Sequence, residues 1–277
     1  MTSLEFTDDY YNHHWSKIEP LSPQEEDRIR KTISLIPEDC HSILDIGCGD
    51  GRITNRLVSG YSRVVGLDQS KEALRHVKSQ KMLGSIESLP FPDRSFDLVL
   101  SSEVLEHLPF KVYPKALSEI ERVAAKYIIV TVPNNEDIKR SLVTCPHCSC
   151  AFHPWMHLRS FNIKRMQELF SQFSLETFKL CQPLAKEYPG FLIKIAKLLR
   201  LIPSNFSPTA LCPQCGYTPL SSHETGSSLS SDVRNSFLVQ LIRPLARWLI
   251  PTRKTGGWLM VLYQKGQEEL YGGHKNE

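Results

Sequence analysis

No run of about 18 uninterrupted apolar residues occurs in the 277-residue chain, so a membrane-spanning helix is not expected. The opening residues, MTSLEFTDDYYNHH, lack the basic start and apolar stretch of a secretory leader. The expected compartment is therefore the reducing cytoplasm. A large charge excess is also missing. Thirty-three Lys and Arg stand against 30 Asp and Glu, and the resulting +3 is too small to imply a nucleic-acid partner. With 41% apolar and 23% charged residues, the chain is neither disordered, collagenous nor a coiled coil. No internal repeat is visible. In a reducing compartment the eight cysteines (Cys40, Cys48, Cys145, Cys148, Cys150, Cys181, Cys212 and Cys215) are expected as thiols or metal ligands rather than disulfides.

What is present alternates. SPQEEDRIRKTISLI (22–36) has a helix-entry pattern, with Ser22 as cap, Pro23 in the first turn and Glu25 three residues after Ser22. Short apolar runs at 42–47, 62–68, 82–87, 96–102 and 127–133 read as strands. Helical stretches are expected at 50–59, 70–79 and 111–125 between them. Strands that are apolar on both faces and alternate with helices indicate a parallel sheet covered on both sides. A helix at 161–173, a sixth strand at 174–181 and a last strand at 256–265 follow. The Ser-rich stretch 221–232 reads as mobile. Four divisions result: an N-terminal helical extension (1–40), a core (41–182), an insertion (183–255) and a last strand with a tail (256–277).

The sharpest local signal is ILDIGCGDG (43–51), a buried strand running into three glycines and then a helix. Glycine permits a tight turn and close approach of a ligand to the main chain. The helix start adds unpaired N–H groups. Asp45, two residues before the first glycine, would repel a pyrophosphate but suits a cationic ligand. Asp68 ends the second strand. Its acceptor-only carboxylate suits the two hydroxyls of an adenosine ribose, or else it caps the following helix.

With LPFPDRSFDLVL (89–100) and SEVLEHL (102–108), this combination resembles the class I S-adenosylmethionine-dependent methyltransferases. The branch most alike includes ubiquinone and menaquinone biosynthesis enzymes and small-molecule methyltransferases. The resemblance implies a Rossmann-like α/β fold with a seven-stranded sheet, the last strand antiparallel between strands five and six, and S-adenosyl-L-methionine as cofactor. It also implies roles. Asp45, Gly47, Cys48, Gly49 and Gly51 would form the loop near the methionine end, and Asp68 would take the ribose. Gln69 would lie beside ribose and adenine, Ser85 and Ile86 at the adenine, and Ser102 and Glu103 along the methionine. Relatives carry an acid where this chain has Ser85, which is uncharged. Glu106 and His107 belong to the same signature, or serve as scaffold at a helix start. Cys48 reads as a small residue filling a tight loop, a nucleophilic role being the alternative.

Cys145-Pro-His-Cys148 and Cys212-Pro-Gln-Cys215-Gly are two C-P-x-C knuckles, and two such knuckles make a tetrahedral thiolate site for zinc. The fold would place both at the ligand-binding end of the sheet, in a helical, zinc-bearing insertion before the last strand. Unpaired thiols in loops and a redox dithiol are the alternatives. Cys150 and His153 are spare ligands.

His157, four residues before Phe161, looks like the histidine that precedes the same helix in quinone O-methyltransferases. It is the candidate general base; packing against Trp155, or a place beside the metal, is the alternative. Residues 189–254 carry eight Lys and Arg against two acids. In 190–202 and 237–250 the cations interleave with aliphatics. These runs fit interfacial helices on an anionic membrane, or a helical lid packed on the protein itself. The expected activity is methyl transfer to a small or lipid-like acceptor, at oxygen. An RNA or tRNA methyltransferase with a zinc clamp and a non-catalytic binding protein are the alternatives.

Overall fold

Four of the five residues of Ser42–Ile46 (β1) are buried, as expected of a strand covered on both faces. In the computed structural model, which describes residues 15, 20–181, 185–187, 210–218, 253–255 and 257–266, β1 is an interior strand of a seven-stranded sheet. The other strands are Arg63–Asp68 (β2), Gln80–Leu83 (β3), Phe96–Ser102 (β4), Ala124–Pro133 (β5), Phe173–Cys181 (β6) and Trp258–Lys265 (β7). Their spatial order is β3-β2-β1-β4-β5-β7-β6. The strands from β3 to β5 pair in parallel; β7 runs antiparallel to both β5 and β6, with Met260 opposite Thr131 and Lys179. The expected fold class holds.

Side chains alternate between the two faces with the period of a strand. Leu44, Ile46, Val65 and Leu67 join one apolar cluster, into which the helix Tyr113–Val123 inserts Ala116, Ile120 and Val123. Ile43, Val64, Leu98 and Leu100 join another, covered by Ile29 of the helix Pro23–Ile33. The Ser22–Glu25 capping box closes the start of that helix, as the spacing predicts.

Several elements are shorter than expected, each for a local reason. The helix expected at 50–59 is a single turn, Thr54–Leu57. The one expected at 70–79 is a 3₁₀ turn, Ala73–His76. There Asn55 intervenes: its side chain donates to the His76 carbonyl at 3.0 Å and accepts from Lys78 N–H at 2.7 Å, drawing the chain out of the helical path. β3 lies at 80–83 rather than 82–87: Gly84 N–H makes a last ladder bond to the Asp68 carbonyl, and the chain then turns at Ser85–Ser88. The helix expected at 161–173 is regular only over Ile163–Gln167, yet Met166, Leu169, Phe170 and Phe173 all reach the core.

The chain divides into two compact units. The larger holds the sheet and comprises 5–136, 158–183 and 257–277; the smaller comprises 1–4, 137–157 and 184–256. Expected to be helical, the described part of the smaller unit has one short helix, Ile138–Ser141, and two strand pairs. Val143–Thr144 pairs with Ala151–Phe152, and Ala185–Glu187 with Arg253–Thr255. The basic apolar runs 190–202 and 237–250 and the Ser-rich stretch 221–232 lie outside the described residues. No helix among the described residues is long and apolar enough to cross a membrane.

Tyr263 is fully buried, and its hydroxyl donates to the Met166 carbonyl at 2.8 Å, tying β7 to the short helix. Tyr263→Phe removes that bond but leaves the carbonyl its bond from Leu169 N–H at 3.3 Å. We expect it to lower unfolding free energy by about 0.5–1.5 kcal/mol in urea denaturation; an unchanged midpoint would contradict this contact.

Candidate functional site

The ends of β1 and β2 are locked together by the main chain of the glycine loop. Gly47 and Cys48 N–H both donate to the Leu67 carbonyl, at 2.7 and 3.1 Å. Gly49 N–H donates to Asp68 Oδ2 at 2.8 Å, and Ser70 N–H to Asp68 Oδ1 at 2.8 Å. Gly49 sits at φ +55°, where a side chain is strained. Asp68 is thus a turn-former and a loop anchor at once. A carboxylate has about four acceptor sites, and the Gln69 main chain also bonds to this one, so acceptor capacity remains. Burial raises its pKa above the ordinary range.

Asp45 is buried in β1, and its Oδ2 accepts from Thr54 Oγ1 at 2.6 Å. Burial, with a contribution from the Asp68 charge, pushes it up to about 7. Burial likewise raises the Cys48 thiol far above the usual range, so at neutral pH it is a packed thiol rather than a nucleophile. Gln69 is exposed, Ser85 half-buried and Ile86 buried against the core. Among the described residues, Ser85 Oγ accepts only a long 3.4 Å bond from Glu87 N–H.

At the end of β4, Ser102 Oγ accepts from Arg28 Nη1 at 2.7 Å. Glu103 follows at φ +59°, and its Oε2 accepts from Trp258 Nε1 at 2.5 Å. The Arg28 guanidinium lies 5.5 Å from the Trp258 ring centroid. Among the described residues, Arg28 Nε has no hydrogen-bond partner. Neither Arg28 nor Trp258 is among the site residues expected from the sequence. A signal for Arg28 existed: it shares the buried stripe of its helix with Ile29 and Thr32, an unusual place for a cation.

Glu106 is wholly buried, and among the described residues neither of its carboxylate oxygens has a hydrogen-bond partner. His107 Nε2 stands 4.0 Å from Oε1. Burial first, and the Glu103 charge second, push its pKa well up. Its main chain is scaffold: the Glu106 carbonyl accepts from Leu158 N–H at 2.8 Å.

His157 belongs to the smaller unit, with the cysteines. It is buried and stacks on His153 with ring centroids 4.6 Å apart, while its N–H donates to His153 Nδ1 at 3.2 Å. Trp155 lies 6.2 Å from its ring.

The two knuckles meet. Cys145, Cys148, Cys212 and Cys215 place their sulfurs within 4.8 Å of one another. Cys145–Cys215 and Cys148–Cys212 are separated by 3.7 and 3.6 Å. Tetrahedral ligands about 2.3 Å from an ion stand about 3.8 Å apart, so the sulfurs are at ligand spacing. Each knuckle repeats one hydrogen-bond pattern. Cys145 N–H bonds the Cys150 carbonyl and Ser149 N–H the Cys145 carbonyl; Cys212 N–H bonds the Tyr217 carbonyl and Gly216 N–H the Cys212 carbonyl. Ser149 and Gly216 hold matching φ values of +61° and +69°. Cys150 and His153 are not in the four-sulfur group.

Residues 44–127 match the methyltransferase domain family. With the sheet order above, the chain carries a domain of the class I S-adenosylmethionine-dependent methyltransferase superfamily. It is 33% identical over 150 residues to an uncharacterized protein of Methanocaldococcus jannaschii, covering 51% of this chain and 63% of that one. It is 28% identical to a probable S-adenosylmethionine-dependent methyltransferase of Mycolicibacterium smegmatis, covering 48% and 51%. A malonyl-[acyl-carrier protein] O-methyltransferase of Erwinia pyrifoliae is 35% identical, covering 31% and 34%. The chain thus spans less than two thirds of each of these relatives. Among solved structures, a chain of the complex between the Haloferax volcanii Trm112 methyltransferase activator and a proposed methyltransferase superposes with TM-score 0.53 at 16% identity, covering 93% and 98%. The [4+2]-cyclase SpnF superposes with TM-score 0.51 at 16% identity, covering 91% and 85%. Both likenesses concern the fold.

A carboxyl whose pKa is raised by folding stabilises the fold below its ordinary value near ~4.3, and that contribution is lost as pH climbs from there through the raised value. Glu106→Gln removes the loss, about 1.4 kcal/mol for each tenfold by which folding tightens proton binding. Its melting temperature should gain on the wild type's between pH 5 and pH 8; parallel curves would contradict a buried, neutral Glu106.

Proposed function

We propose that this protein transfers a methyl group from S-adenosylmethionine to an oxygen of a small or lipid-like acceptor. The observation that carries this reading is the Gly49 N–H bond to Asp68, which holds a carboxylate with spare acceptor sites beside a glycine loop at the ends of β1 and β2. When bound, the cofactor supplies a methyl on a sulfonium, open to in-line displacement. The chain's task is alignment and charge placement.

Asp68 takes the ribose hydroxyls through its remaining lone pairs. Gly47, Cys48 and Gly49 flank the methionine end, and Ser102 and Glu103 line it from β4. Arg28 fits the cofactor's carboxylate: it is buried, and its Nε lacks a partner among the described residues. Gln69 lies beside ribose and adenine. Ser85 Oγ and the main chain of Ile86 serve the adenine without the charge that relatives use. His157 is the candidate base for the acceptor hydroxyl. Oxygen as the methylated atom is supported by the O-methyltransferase relative. A lipid-like acceptor, and contact with an anionic membrane surface, are supported by the basic apolar runs 190–202 and 237–250, in an expected cytoplasmic setting.

The four cysteines hold one structural zinc. Their spacing supports this reading, as does the twinned knuckle geometry, and a closed four-sulfur set leaves no open coordination position for catalysis. Metal binding and folding of the smaller unit would then be one process.

Asp68→Ala is expected to weaken S-adenosylmethionine binding by tenfold or more in calorimetry; an unchanged Kd would contradict the ribose role. Elemental analysis should find about one zinc per chain, lost in Cys212→Ser. A metal-free wild type, stable to chelator, would contradict the zinc site.

A further inference from the structure

Trp15 stands 34 residues before Gly49, yet its indole rests on the glycine loop. A Cβ built on Gly49 would come within 2.5 Å of Trp15 Cη2 and 2.7 Å of Cζ2. Gly49 is therefore demanded twice, by its φ of +55° and by the ring lying against its main chain. The same residue spends its N–H on Asp68 Oδ2, so the indole abuts the hinge between loop and carboxylate.

The ring is half-buried. Gly47 lies on the other side of Cys48 and touches the turn after β4: a Cβ there would overlap the Val104 side chain. The loop thus has Val104 at one glycine and Trp15 at the other.

We infer that Trp15 is a further cofactor-recognition residue, whose ring walls the methionine end and presents a π face to the sulfonium charge. The inference rests on the cofactor reading above and deepens it. A cation is attracted to the face of an indole more strongly than a neutral group of the same shape. S-adenosylhomocysteine, the product, has lost the methyl and the positive charge on sulfur. Trp15 therefore favours the charged donor over the spent product and eases product release without any moving part.

The test is calorimetry on the full-length protein with S-adenosylmethionine and S-adenosylhomocysteine. A wild type that binds neither contradicts the cofactor reading itself, whatever Trp15 does. Given wild-type binding, Trp15→Ala is expected to raise the Kd for S-adenosylmethionine about tenfold and that for S-adenosylhomocysteine no more than about threefold. Trp15→Phe keeps a π face and should keep most of the donor preference. Should Trp15→Ala fail to fold, as judged by circular dichroism, Trp15→Leu supplies apolar bulk without an aromatic face and carries the same expectation. Equal weakening toward both ligands would overturn the inference, since the ring would then be a neutral wall. Unchanged affinities, or tighter binding from a ring that had been occupying the cofactor's place, would overturn it too.

Discussion

One hydrogen bond organises the larger unit: Gly49 N–H to the carboxylate of Asp68. It joins the turn after β1 to the end of β2, and the neighbouring bonds from Gly47 and Cys48 to the Leu67 carbonyl make the junction rigid. Its energy alone is modest, about 1.5–3 kcal/mol for a charge-assisted bond. Its consequence is larger, because it sets where a buried anion and a bare main chain stand relative to each other. Parallel strands bring their carboxyl ends to one edge of the sheet, and only there can a loop after β1 meet an acid after β2. The fold supplies the place, and the glycines and the acid supply the chemistry. The cyclase that shares this fold shows why the second part has to be argued from the site.

Around that junction the protein tolerates an unusual amount of buried polarity. Arg28, Asp45, Asp68 and Glu106 are all buried, and Glu103 sits in a left-handed conformation at the end of β4. Buried polar atoms without partners cost roughly 1–3 kcal/mol each, and such costs concentrate where a ligand binds. Arg28 Nε and both Glu106 oxygens are such atoms among the described residues. The smaller unit solves a different problem. Its described segments have short strands and little regular structure, and four sulfurs at ligand spacing offer the cross-link that a small core cannot.

Much of this is legible in the sequence because the signals are local and periodic. The apolar runs of β1, β2, β4 and β5 point to the parallel sheet, and ILDIGCGDG with Asp68 points to the loop and its acid. The pairing of Cys145–Cys148 with Cys212–Cys215 is also readable from two matching knuckles. What escapes depends mostly on long-range contacts. Asn55 truncates the 3₁₀ turn at His76 from 21 residues away. β3 ends where Ser88 N–H turns back to the Ser85 carbonyl. Arg28 reaches Ser102 across 74 residues, and nothing in its own helix names that partner. Asp68 reads from sequence as either a cap or a ribose ligand. The structure gives it main-chain bonds from Gly49, Gln69 and Ser70 and still leaves it acceptor capacity for the proposed ribose role.

The most direct measurement is a crystal structure of the protein grown with S-adenosylhomocysteine. Density for the ligand is expected across the main chain of Gly47–Gly49, with both ribose hydroxyls on the Asp68 carboxylate and the amino-acid end toward Arg28 and Ser102. A crevice empty at saturating ligand, or a ligand bound elsewhere with Asp68 making only its main-chain bonds, would contradict the account.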